Sequence, residues 1–285
     1  LPLVETLTFD HLREERGRYS RIRLWGSIGF IVAVLGTGAV LDVLPLNGLL
    51  WVCWGILAGI LALAVVLTDA PTAPDPQDSL PVGDILRQPR VRALLAACFA
   101  MSAAHGALYV FLSIHLASHG YSKAEVGGLW SLGVLAEIVV FMLMTRLNRR
   151  YSLRALLLAS FAAAILRFLL IGWGVESLAV MVLAQLMHGL TFGAYHASAI
   201  AAINLWFPGR AQGRGQALYS SISFGAGGLL GGLISGWTWE GIGAGWTYTL
   251  ASLFAVGGFW LVWRWVRGDV AVDAPVEAKN ADPVR

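Results

Sequence analysis

Val126–Gly172 reads VGGLWSLGVLAEIVVFMLMTRLNRRYSLRALLLASFAAAILRFLLIG. Two apolar runs, Val126–Leu147 and Leu153–Gly172, flank a turn carrying Arg146, Arg149, Arg150 and Arg154. Each run suffices for a bilayer crossing, which takes about 20 helical residues. Hydrocarbon cannot solvate the arginines, so the chain must cross, expose the turn and cross back. Outward from this hairpin the pattern recurs, giving about eight runs of spanning length. The remaining six are Leu24–Val43, Leu49–Leu67, Ala93–Leu116, Leu178–Phe207, Ala217–Trp237 and Trp246–Val266.

The cations fix the direction of threading. Arg13, Arg16, Arg18, Arg21 and Arg23 precede the first run, and Arg87, Arg90 and Arg92 precede the third. Arg210 and Arg214 fill the turn after the sixth, and Arg264 and Arg267 close the last. The intervening turns hold only Lys123. Of 20 Lys and Arg, all but Lys123 and Arg167 thus fall on one side. Cytoplasmic loops are enriched in Lys and Arg, so every second turn, and both ends of this chain, are expected in the cytoplasm.

Composition agrees. Of the residues 57% are hydrophobic and 13% charged, against about 25% charged in soluble domains; mean hydropathy is +0.69. The net charge of +3 sits at helix ends rather than in a patch, so no nucleic-acid partner is expected. Cys53 and Cys98 lie in apolar runs without metal-ligand spacing. No phosphate loop and no metal-spaced cluster is present, so no cofactor, no metal and no enzyme activity are expected. Most of the Trp residues (Trp173, Trp206, Trp237, Trp239, Trp246, Trp263 and Trp265) fall at helix ends, as an interfacial belt would.

The runs divide the chain. Residues 1–23 read as a cytoplasmic loop and 24–67 as two helices. Residues 68–92, with Pro71, Pro74, Pro76, Pro81 and Pro89, read as a cytoplasmic linker. Residues 93–267 read as six helices and 268–285 as a disordered tail. The polar opening at Leu1 suggests a chain that starts within a larger protein.

Three stretches carry a resemblance. They are Arg21-Ile-Arg23-Leu-Trp25-Gly26-Ser27-Ile-Gly29-Phe30, Gly133-Val-Leu-Ala-Glu137-Ile-Val-Val-Phe141 and His188-Gly-Leu-Thr191-Phe-Gly-Ala-Tyr195-His196. With the loop pattern, they resemble the phenylpropionate permease-like branch of the major facilitator superfamily. The resemblance implies an all-α polytopic membrane protein with about eight of twelve helices present, the first two closing an N-terminal bundle whose earlier helices are missing. It also implies a secondary active transporter, a monomer when complete. Symport of protons with a small-molecule substrate, an aromatic carboxylate by first choice, would proceed by alternating access. The superfamily's gating motif, Gly-x-x-x-Asp-Arg-x-Gly-Arg-Arg, aligns with Phe141–Arg150; Arg146, Arg149 and Arg150 match, while Phe141, Thr145 and Asn148 depart from it. The rival readings are a non-transporting receptor or assembly subunit and, more remotely, a membrane-embedded lipid enzyme or a passive channel.

Polar residues inside the runs are the candidate site, because a central acid costs about 2.5 to 3.5 kcal/mol on translocon scales. Glu137 and Arg167 lie on consecutive antiparallel helices, at depths about 6 Å apart, close enough to pair. That pair is a static tie or a proton or substrate-anion site; the remaining reading is a lipid-boundary residue that snorkels to the interface. His188, Thr191 and Tyr195 follow at i, i+3 and i+7 with Gln185 one turn before, so they share a face, lining a cavity or bonding a neighbouring helix. His105 and Tyr109 are further cavity candidates, on a face shared with Ser102. Gly227, Gly228, Gly231 and Gly232, and Gly26 and Gly29, read as close-packing surfaces.

Overall fold

The computed structural model describes residues 48–67, 81–209 and 211–266, with scattered positions between 7 and 36. It divides into two units, one ending at Pro74 and one beginning at Asp75. The expected N-terminal loop lies almost wholly outside the described residues, as do residues 68–80 of the linker and the tail from 267 onward.

In the first unit, α1 is Gly48–Val66, apolar throughout and free of charged residues. Of the preceding span, residues 28–33 are helical. Gly26 is among its helical positions, and a Cβ on Gly29 would meet no atom of its own unit within 4 Å.

The second unit carries seven helices among the described residues: α2 (Val82–Arg87), α3 (Pro89–Ser118), α4 (Lys123–Arg150), α5 (Leu153–Trp173), α6 (Leu178–Trp206), α7 (Ala211–Ile242) and α8 (Ala244–Trp265). The last six are each long and apolar enough to cross a bilayer. The end of the expected linker is therefore helical. In α2, Ile85 is buried while Asp84 and Arg87 pair at 3.1 Å on the wet side. Pro89 opens α3, where its missing N–H costs nothing.

Local chemistry sets the turns. α3 ends in a Schellman motif: Gly120 has φ +86°, and the amides of Gly120 and Tyr121 donate to the carbonyls of Ala117 and Leu116. Ser122 then starts α4 through a capping box with Glu125, and Ser152 caps α5. At the same end of the bundle as Gly120, α7 and α8 are separated only by Gly243, at φ +85°, where the apolar runs leave a longer break, between Trp237 and Trp246. α7 also starts earlier than its apolar content suggests. Its first turns are polar, and Gln212 and Gln216 donate to Asn204 Oδ1 at the end of α6, at 3.3 and 2.9 Å.

Within this unit α3 packs on α7 and α8, α5 on α8 and α6, and α4 on α6. The closest crossings use the absence of a side chain. A Cβ on Gly106 would overlap the Gly231 backbone, one on Gly231 would overlap the Ala103 carbonyl, and one on Gly227 would stand 2.6 Å from Phe99 O. Gly228 and Gly232 face elsewhere, with nothing nearer than 3.8 Å. Of the belt tryptophans Trp206 is buried beneath Arg90, 5.1 Å from its ring, and Trp239 stacks on Phe111 at 4.4 Å. The other five stay exposed.

α6 and α7 are not regular. Gly189–Ala194 and Ser221–Gly227 are wide π-helical turns, a local irregularity common at functional sites. The turn in α6 presses against α4: a Cβ on Gly189 would lie 2.7 Å from Ala136 O, and one on Gly193 would lie 3.4 Å from Glu137 O. Gly189→Ala is expected to drive α6 from α4 and cost about 1–3 kcal/mol. Gly128→Ala, with no atom within 4 Å, should stay within about 0.5 kcal/mol of the parent. Thermal unfolding in detergent compares the two.

Candidate functional site around Arg167

The buried positions of α5 include Leu153, Leu156, Leu157, Ser160, Phe161, Ala164, Arg167, Phe168 and Ile171. They recur at steps of three and four, the signature of one inward face. Arg167 sits on that face, so the packing that buries its neighbours buries it too; it is 1% exposed. Taking a guanidinium out of water costs several kcal/mol unless its donors are met.

They are met by α6 and α3. Nε donates to Ala184 O at 2.8 Å. Nη1 donates to His188 Nδ1 and to Thr191 Oγ1, each at 3.0 Å, and lies 3.5 Å from His105 Nε2. Nη2 donates to Gln185 Oε1 at 3.2 Å. The Phe168 ring lies 5.9 Å from the guanidinium carbon.

Arginine only donates, which fixes the histidines. His105 Nδ1–H donates to Met101 O at 2.9 Å, so Nε2 presents a lone pair to Arg167. His188 accepts through Nδ1, so its proton is on Nε2, and that nitrogen is 3.7 Å from Glu137 Oε2. This exceeds hydrogen-bond length, and with Nδ1 accepting from Arg167 the imidazole is neutral, so the two groups are close neighbours rather than an ion pair. His188 thus stands between the two charged residues, one ring nitrogen toward each. Glu137, His105, Gln185, His188 and Thr191 are all buried. Gly133 lets α6 come close: a Cβ there would be 3.0 Å from Gln185 Oε1 and 3.5 Å from His188 Cβ.

The structure therefore gathers His105, Glu137, Arg167, Gln185, His188 and Thr191. Tyr195 lies elsewhere. The wide π turn slows the rotation per residue, so the i+7 position leaves the face of His188. Its hydroxyl is directed to Cys98 O at 3.4 Å, and its ring packs edge-on against Phe161. His196, one residue on, contacts Tyr219 OH at 2.9 Å, and the Phe192 ring stacks between His188 and His196. Tyr109 stands at the edge of the cluster, 5.8 Å from the His105 ring and about half exposed. Sequence reasoning passed over Trp130, whose ring lies parallel to that of Tyr109; its place on the Gly133 and Glu137 face of α4 was the available signal. Among the described residues no group of three or more His, Cys, Asp or Glu is placed to hold a metal ion.

The amide nitrogen of Gln185, in this cluster, is a fully buried donor with no hydrogen-bond partner. The Phe141 side chain, where the gating motif has Gly, packs with Met144, Leu156 and Ala194 at the other end of the α4–α6 contact.

Comparison with known proteins agrees with this architecture. The model of the MFS_1 like family matches residues 1–250. A "Probable 3-phenylpropionic acid transporter" of Escherichia coli (strain K12) is 30% identical over 261 residues, covering 90% of this chain and 68% of the relative. A "Maltose permease" of Geobacillus stearothermophilus is 26% identical over 259 residues, covering 90% and 66%. An "Uncharacterized transporter" of Bacillus subtilis (strain 168) is 22% identical over 268 residues, covering 92% and 65%. The chain spans about two thirds of the length of these relatives, all named as transporters or permeases rather than enzymes. It belongs to the MFS_1 like family and is a multi-pass, all-α membrane protein of the major facilitator type.

Proposed function

We propose that this protein is a proton-coupled symporter of a small organic acid, with an aromatic carboxylate as its substrate, working by alternating access in a bacterial inner membrane with both ends of this chain in the cytoplasm. The supporting observation is that Glu137, His188 and Arg167 stand in a row, buried within an apolar bundle. Ionisable groups at membrane depth commonly mark proton or substrate pathways.

A substrate carboxylate brought beside an ionised Glu137 is repelled; beside a protonated Glu137 it shares a proton, as two carboxyl groups at one site do. Proton and acid therefore bind together. The unpartnered Gln185 amide supplies a donor for the incoming acid. The aromatic choice rests on the name of the E. coli relative.

The experiment is uptake of labelled 3-phenylpropionate into vesicles containing the full-length protein. An imposed inward proton gradient should drive accumulation several-fold above equilibrium, and a protonophore should abolish it. Counterflow with indifference to the gradient would leave a transporter without proton coupling. No counterflow of any organic acid would favour a non-transporting receptor.

A further inference from the structure

Tyr109 of α3 and Trp130 of α4 hold their rings 12° from parallel, with centroids 6.3 Å apart. Trp130 lies about two turns into α4, and its Nε1–H donates to Ser113 Oγ of α3 at 3.0 Å. The hydrogen bond fixes the indole plane. On the other side the Tyr109 ring packs on His105, which meets Phe168 edge-on at 5.2 Å. A line of rings thus runs from the Arg167 cage through Tyr109, which is 53% exposed, to Trp130.

Three α4 residues align this edge with the buried acid. Trp130, Gly133 and Glu137 stand at i, i+3 and i+7, on one helix face. Seven residues of helix span about 10 Å, comparable to a phenyl ring bearing a short carboxylate chain. Over Gly133, midway, lies Gln185 with its unpartnered, fully buried amide nitrogen.

We propose that Tyr109 and Trp130 form an aromatic subsite that receives the planar ring of the substrate, while Gln185 and Glu137 take its carboxyl end. The inference rests on the acid-symport reading above and deepens it: the ring, not the chain, sets selectivity. Offset stacking on a Trp–Tyr pair distinguishes a flat π face from a puckered saturated ring of similar size.

The test measures uptake of 3-phenylpropionate and of 3-cyclohexylpropionate by cells producing the protein, with surface amount followed by an epitope tag. In Trp130→Leu the KM for the phenyl acid should rise roughly tenfold, as expected for lost ring stacking. The KM for the cyclohexyl acid should stay within about twofold, and Trp130→Phe should restore most of the preference. Tyr109→Leu should act in the same direction. Equal weakening of both acids, or an unchanged phenyl KM, overturns the subsite. If the parent carries neither acid but takes up another solute, the acid-symport reading fails by itself. The subsite is then decided by competition: it stands if 3-phenylpropanol inhibits that uptake better than 3-cyclohexylpropanol and Trp130→Leu erases the difference, and it falls otherwise.

Discussion

Arg167→Ala is expected to yield little folded protein. Removing the guanidinium leaves Ala184 O, Thr191 Oγ1, Gln185 Oε1 and the bare nitrogens of His105 and His188 without the donor they share. Each buried polar group deprived of its partner costs about 1–3 kcal/mol. Together these losses are a large part of the roughly 5–15 kcal/mol that typically separates folded from unfolded domains. Arg167→Lys separates charge from geometry. An ammonium keeps the charge beside His188 but cannot reach α6 and α3 with a planar fork, so the lysine protein should assemble with a lowered melting temperature and weakened transport. Yield and melting in detergent check both. A parent-like Arg167→Ala would mean that the α5–α6 contact does not depend on the cage.

Much of this fold was legible because lipid imposes a blunt code. The hairpin of α4 and α5 follows from two apolar runs and an arginine turn, and Gly120 and Ser122 mark the preceding turn in plain residues. The polar start of α7 escaped because its stabilisation comes from Asn204 on a different helix. In the site, His188 and Thr191 could be placed together from spacing, but the role of His188 between Glu137 and Arg167 could not. Depth along two helices says that two charges can meet; it does not say which ring inserts between them. Spacing puts Tyr195 on the same face only under regular α-helical rotation, and the π turn at Gly189–Ala194 changes that rotation. A signal was present in Gly133 and in Gly189-xxx-Gly193, the small-residue spacing that was recognised on α7. It marks where α4 and α6 come close enough for Gln185 and His188 to sit against the Glu137 face.

Glu137→Gln is the second large effect, and it discriminates between a tie and a coupling acid. The amide is nearly isosteric, so contacts with α6 survive, but it can neither carry a negative charge nor release a proton. If Glu137 carries the coupling proton, the variant mimics the protonated carrier permanently. Substrate then still binds and exchanges across the membrane, since the loaded carrier can reorient. Net uptake against a gradient stops, because that requires the site to lose its proton on the inner side. Exchange of internal for external labelled substrate should therefore remain within about threefold of the parent, whereas gradient-driven accumulation should fall at least about tenfold, more than 1.4 kcal/mol of lost coupling free energy. If Glu137 only counters the charge of Arg167 through His188, the result differs. The neutral amide then leaves a buried cation less well compensated, folded yield and melting temperature drop as for a weakened ion pair, and exchange and accumulation decline together in proportion to the protein remaining. The ratio of the two rates, measured on the same vesicles, separates the outcomes without reference to expression level.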